Sequence, residues 1–145
     1  MSYSDMLYRL AVALWAGGNA IFTLLLTPIL FKTENRDTAG RIVGNIFPAY
    51  FKTGLVCGLI AIICRCIADS SSKSSIVILV VMLVLTSFQA FYIEPKAADV
   101  KKRIVSFETT CRDDSLRREF SRLHGVSAVC NLAVLAGGVA LVLIP

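Results

Sequence analysis

Ile76-Val-Ile-Leu-Val-Val-Met-Leu-Val-Leu-Thr-Ser-Phe-Gln-Ala-Phe-Tyr-Ile93 runs for eighteen residues without a charge. At 1.5 Å per residue such a run is about as long as a hydrocarbon core ~30 Å thick requires. Three more stretches share its character: 7–31, 46–67 and 126–144. Four apolar spans in 145 residues leave room for one domain and little else. The fold expected is all-α, a polytopic membrane protein built as a four-transmembrane-helix bundle over residues 1–145. Composition agrees, with 56% hydrophobic and 17% charged residues and a mean hydropathy of +0.71. A soluble domain is nearer 45–50% apolar and about 25% charged. The first stretch is too long for the h-region of a signal peptide, and no small-residue cleavage site follows it. Thr27-Pro28 is expected to break its C-terminal end.

The basic residues orient the bundle. The first and third connections hold Lys32, Arg36, Arg41, Lys96, Lys101, Lys102, Arg103, Arg112, Arg117, Arg118 and Arg122, and Lys52 lies near the same side. Only Arg9, Arg65 and Lys73 fall on the other. Twelve against three is a positive-inside bias, which sets both termini outside and the larger connections in the cytoplasm. The net charge of +5 then reads as a topology signal with affinity for anionic lipid headgroups, and no nucleic-acid partner is expected. A bacterial inner membrane is the expected location, since Asn19, Asn35, Asn45 and Asn131 all fail the N-x-[ST] pattern.

Five cysteines are an odd number and imply no disulfide framework. Cys64-Arg65-Cys66 is one residue short of a redox CxxC and reads as small packing residues around a snorkelling arginine. Past Glu94-Pro95, where a kink is expected, apolar residues fall at Val100, Ile104, Phe107 and Cys111, then at Leu116, Phe120 and Leu123. That spacing predicts a cytoplasmic helical hairpin over about 94–123, with Asp113 or Asp114 capping the returning arm. Such an arm packs on itself or docks a cytoplasmic partner. Ala39, Val43, Ile46 and Tyr50 extend helix 2 back to Asp37 or Thr38, with a bend at Pro48. The segment Asp69–Ser75 reads as a short polar turn. Small residues at Gly40, Gly44, Gly54, Gly58, Ala13, Gly17, Gly18, Ala133, Gly137 and Gly138 supply close helix contacts, within one bundle or across a homodimer.

Polar residues inside the spans are where chemistry would lie. Asn19 sits mid-span on helix 1, and Gln89, Tyr92 and Glu94 end helix 3. His124, Ser127 and Asn131 are spaced to share one face of helix 4. With Tyr50 of helix 2 these eight form a candidate ligand-binding cluster, or a set of mutual interhelical hydrogen bonds. His124 is the only histidine. A haem or metal could use it as one ligand, but no spacing supports a second, so no cofactor is expected. No Ser/His/Asp, Walker or dinucleotide pattern is present, and enzymatic activity is not expected.

Leu14-Trp15-Ala16-Gly17-Gly18 with Phe22 and Thr27-Pro28-Ile29-Leu30-Phe31 resembles the opening of the transmembrane protein 205-like domain of unknown function. Arg41-Ile-Val-Gly44-Asn-Ile-Phe47-Pro48-Ala-Tyr50-Phe51, Glu94-Pro95, and Phe120-Ser-Arg-Leu-His124-Gly125-Val-Ser127 with Asn131 are similar to its later signatures. The resemblance implies a four-helix membrane domain without an assigned activity. Trp15-Ala-Gly-Gly18 also resembles copper-resistance protein D-like membrane proteins, which pair that motif with helix-1 histidines that this chain does not have. Three functional readings follow: a non-enzymatic ligand- or lipid-binding or scaffolding bundle, an oligomeric transporter of a small solute or ion, and a haem- or metal-dependent redox protein.

Overall fold

The computed structural model describes residues 2–67 and 73–143. Four long helices carry the chain: α1 Tyr3–Thr33, α2 Arg36–Ile67, α3 Lys73–Arg103 and α4 Ser115–Leu143. Each is apolar and long enough to cross a membrane. Each is also longer than the ~20 residues a crossing needs, so part of it projects beyond the hydrocarbon core. Most of the Asp69–Ser75 turn and the final residue of the fourth apolar run lie outside the described residues.

Each helix packs antiparallel on the next, and α4 closes the ring against α1. The α1–α2 seam pairs Tyr8 with Arg65, Trp15 with Gly54 and Gly58, and Phe22 with Tyr50. Arg65 reaches Ser75, and Gly58 meets Leu83, along α2–α3. Met82 packs on Gly137, and Gln89 meets Ser127, along α3–α4. The core is a column of Trp15, Cys57, Ala61, Leu79, Met82 and Val134, all buried. In lipid such helices associate through close backbone approach and dispersion, which is why glycines line the seams.

Half of the expected glycine contacts are present. A Cβ at Gly58 would stand 2.6 Å from Leu83 and 2.8 Å from Trp15, and one at Gly138 would stand 2.6 Å from Ala16. Gly17 and Gly18, in contrast, have nothing within 4 Å of a built Cβ, and with Ala13 and Ala133 they face outward. Trp15 and Ala16 make the contacts expected of them. Gly40 and Gly44 meet no helix backbone, and instead receive the Lys101 side chain, whose Nζ lies 3.3 and 3.7 Å from their built Cβ positions.

Pro28 does not end α1. Proline has no N–H and its ring crowds the carbonyl four residues back, and a π-helical turn at Ile21–Leu26 widens the ladder just ahead of it. The helix continues to Thr33 and closes through Glu34 N–H donating to the Leu30 carbonyl. A second π-helical turn, Gln89–Ile93, stands before Pro95 in the same way. α2 starts at Arg36, one residue ahead of the expected start, and runs unbroken past Pro48.

The connection between α3 and α4 departs from the helical hairpin expected. α3 stops at Arg103, so Ile104, Phe107 and Cys111 lie in an irregular strap rather than on a helix. The cause is a tertiary bond that the periodicity does not register. The Asp37 carboxylate accepts from Ser106 Oγ at 2.6 Å and from Phe107 N–H at 2.8 Å, while Glu108 Oε1 accepts from Arg36 N–H at 2.9 Å. The strap is thereby tied to the start of α2. The apolar side chains still pack: Ile93, Val100, Ile104 and Leu123 form a second small core. Asp114 caps α4, accepting from Leu116 N–H at 2.9 Å.

Candidate functional site

Two π-helical turns deliver polar side chains to the middle of the bundle. Asn19 precedes the first and Gln89 opens the second, and both are fully buried. Asn19 Nδ2 donates to the Asn131 carbonyl at 3.2 Å, and its Oδ1 accepts from Thr23 at 3.1 Å. Tyr50 OH donates to Asn131 Oδ1 at 3.2 Å. Ser127 Oγ donates to Gln89 Oε1 at 2.9 Å. All four helices therefore contribute to one polar layer, with Asn131 and Ser127 one turn apart on α4. Gln89 Nε2 is buried and has no hydrogen-bond partner among the described residues. An unpaired buried amide donor of this kind costs about 1–3 kcal/mol unless something else accepts from it.

The layer lies between two cavities. One, of about 290 Å³, is bounded by Trp15, Asn19, Tyr50, Gly54, Thr86 and Asn131 and follows the α1–α2 seam. The other, of about 830 Å³, occupies the basic end of the bundle, with Ser127 at its floor. Its walls are Phe31, Val43, Phe47, Ile93 and Phe120, its rim carries Arg36, Arg41, Lys101 and Lys102, and the strap covers it through Ile104 and Phe107. The larger volume falls within the usual range of small-molecule pockets. Ligand pockets are commonly this mixture of apolar wall and a few placed polar groups.

The eight residues singled out in sequence divide between these features. Asn19, Tyr50, Gln89, Ser127 and Asn131 form the layer. Glu94, His124 and Ser127 line the large cleft. Tyr92 belongs to neither: it is 55% exposed, stacks on Phe88 at 5.3 Å and lies under Lys96 on the outer face of α3. The helix turn between Gln89 and Tyr92 points it away, because the π-turn shifts the register of every later residue. The His124 ring lies parallel to Phe120 at 6.2 Å and tilted to Phe31 at 6.4 Å. Among the described residues, no group of three or more His, Cys, Asp or Glu side chains converges as a metal site would require.

Two titratable groups outside the spans, Lys101 and Asp37, have shifted proton affinities. Burial holds the Lys101 ammonium below its ordinary pKa, and Glu94 and Asp37 offset part of that. The Asp37 carboxyl is held below its ordinary range, chiefly by the Ser106 hydroxyl and then by the Phe107 N–H. Sequence reasoning missed Lys101, Arg41 and Phe107 as cleft residues. The available signal was the Gly40/Gly44 pair, which reads as a helix seam and is in fact a seat for a lysine.

Four long apolar helices around a buried core define a multi-pass membrane protein of the four-helix-bundle class. Residues 10–106 match the family model described as a domain of unknown function, DUF4149, and the chain belongs to that family. It is also 30% identical over 130 residues to an uncharacterized protein of Aquifex aeolicus (strain VF5), covering 88% of this chain and 87% of that one. No solved structure matches it.

Proposed function

We propose that this protein is a membrane-resident, non-enzymatic binding module that takes an amphiphilic small molecule into the cleft at its basic end. One observation carries the reading. An 830 Å³ cleft joins an aromatic wall to a cationic rim at the level where the apolar runs end. A molecule with one polar and one apolar end fits that arrangement without leaving either end unmatched.

The twelve-to-three bias of basic residues supports placing this end in the cytoplasm and both termini outside, in a bacterial inner membrane. The strap and the projecting ends of α3 and α4 would then form a cytoplasmic cap over the cleft. The motif likeness to transmembrane protein 205-like domains is compatible with such a module.

A second reading, transport of a small solute by an oligomer, is favoured by the polar layer lying between two cavities. The two readings differ in turnover. Native mass spectrometry of gently purified protein tests the first: a stoichiometric amphiphile should remain bound through detergent exchange. A protein that carries only exchangeable bulk lipid contradicts it, and solute flux into proteoliposomes would favour the second.

A further inference from the structure

The rim of the cleft holds more positive charge than its surroundings neutralise. Arg36 and Arg41 come from the first turns of α2, and Lys101 and Lys102 from the end of α3. Among the described residues the one ion pair is Lys96–Glu119, outside the cleft, so none of these four has a carboxylate within 4.0 Å. Among the described residues Glu94 is the only carboxylate in the lining. Asp37, whose oxygens accept from Ser106 and Phe107, stands nearby and with Glu94 attracts Lys101, but two carboxylates against four cations leave the rim net positive. Arg117 is likewise committed, donating to the Thr110 carbonyl and lying over the Phe107 ring. The start of α2 is not itself the binding element, since Glu108 takes the Arg36 N–H and Asn35 takes those of Thr38 and Ala39.

Resting on the reading of the cleft as an amphiphile site, we infer that its ligand is a lipid carrying a phosphate group, held between Arg41 of α2 and Lys101 of α3. Three features fit this chemistry together. Lys101 is seated against Gly40 and Gly44, which fixes its ammonium at the cleft instead of leaving it to wander in solvent. A guanidinium opposite an ammonium suits a phosphate, which Arg can grip with two parallel bonds while Lys acts as a point charge. Phe31, Phe47 and Ile93 lie at the ends of three apolar runs, so a chain leaving the phosphate along them continues into the bilayer.

The test is native mass spectrometry of the full chain titrated with phosphatidylglycerol, with diacylglycerol of equal chains, and with inorganic phosphate. Phosphatidylglycerol should be retained at least about tenfold better than diacylglycerol, the scale of one charge-assisted contact. Lys101→Gln and Arg41→Gln should each remove most of that preference, while Lys52→Gln, exposed and outside the cleft, should leave it intact. Thermal stability of each variant separates lost binding from lost fold. Equal retention of both lipids, unchanged in Lys101→Gln and Arg41→Gln but abolished by Ala98→Trp in the cleft wall, overturns the phosphate claim and leaves the cleft reading standing. Retention of neither lipid by the unaltered protein overturns both. Displacement of phosphatidylglycerol by submillimolar inorganic phosphate shows a free anion as the ligand and overturns the lipid claim.

Discussion

Trp15 and Gly58 share one volume: a Cβ at position 58 would stand 2.8 Å from two atoms of the indole ring. The same ring crosses Gly54, whose built Cβ would lie 2.8 Å from Nε1. The widest side chain of α1 is thus laid into a groove of α2 that only glycine leaves open, and the α1–α2 seam depends on it.

Gly58→Val should therefore destabilise the bundle, because neither Leu83 nor the indole can withdraw without opening the core. Overpacking of this kind costs about 1–3 kcal/mol. Gly17→Ala, which meets nothing within 4 Å, should be close to neutral. Thermal unfolding in detergent, followed for both variants, checks the contrast. Equal stability of the two would contradict the packing described.

The polar layer is expected to stabilise only modestly. Tyr50→Phe removes the bond to Asn131 Oδ1 and should cost about 0.6 kcal/mol, the average for such bonds inside a membrane. A double-mutant cycle with Asn131→Leu isolates that coupling. Gln89→Met deletes the Oε1 that accepts from Ser127 but also removes the buried Nε2, which has no partner among the described residues, so the two effects should largely offset.

The strap should respond to acid through Asp37. Its carboxyl binds a proton less tightly in the folded protein than the ordinary value of 3.8. The contribution is therefore complete above that ordinary value and is lost as pH falls through the lower, folded value. Trypsin cleavage at Arg112 measures strap release near neutral pH, and pepsin cleavage within the strap measures it in acid, where trypsin is inactive. Protection should hold from neutral pH down to the ordinary carboxylate range and fail below it in a low-pH footprint. Asp37→Ala should raise cleavage at every pH.

His124, set between Phe31 and Phe120 and, among the described residues, in no group of three or more His, Cys, Asp or Glu side chains, should not bind haem or a transition metal. A UV–visible spectrum with elemental analysis of gently purified protein checks this. A Soret band, or one metal per chain that His124→Gln removes, would put the redox reading in first place.

Much of this architecture was legible in the sequence, for identifiable reasons. Apolar runs such as Ile76–Ile93 declare their length directly, and hydrophobic continuity suffices where the solvent is lipid. A cap at Asp113 or Asp114, which the structure places at Asp114, and Gly54 with Gly58 as a seam were equally readable, since both depend on local spacing. What was not legible depended on distant partners. Residues Ile104, Phe107 and Cys111 keep helical spacing, yet the Asp37 carboxylate some seventy positions away holds Ser106 and Phe107 in a strap. The outward turn of Tyr92 arises from a π-helical register shift that no 3.6-residue period reveals. Gly17 and Gly18 look like a seam because small residues can serve one, but Trp15 and Ala16 beside them make the contact.

The central claim is that the basic-end cleft holds a ligand, and blocking the cleft tests it most directly. Ala98→Trp on α3 and Ser121→Trp on α4 each place an indole in that space from a different wall. Native mass spectrometry should then find a stoichiometric amphiphile on the unaltered protein and on neither variant, at matched thermal stability. An unaltered protein without a bound molecule, or stably folded variants that retain it, would contradict the account.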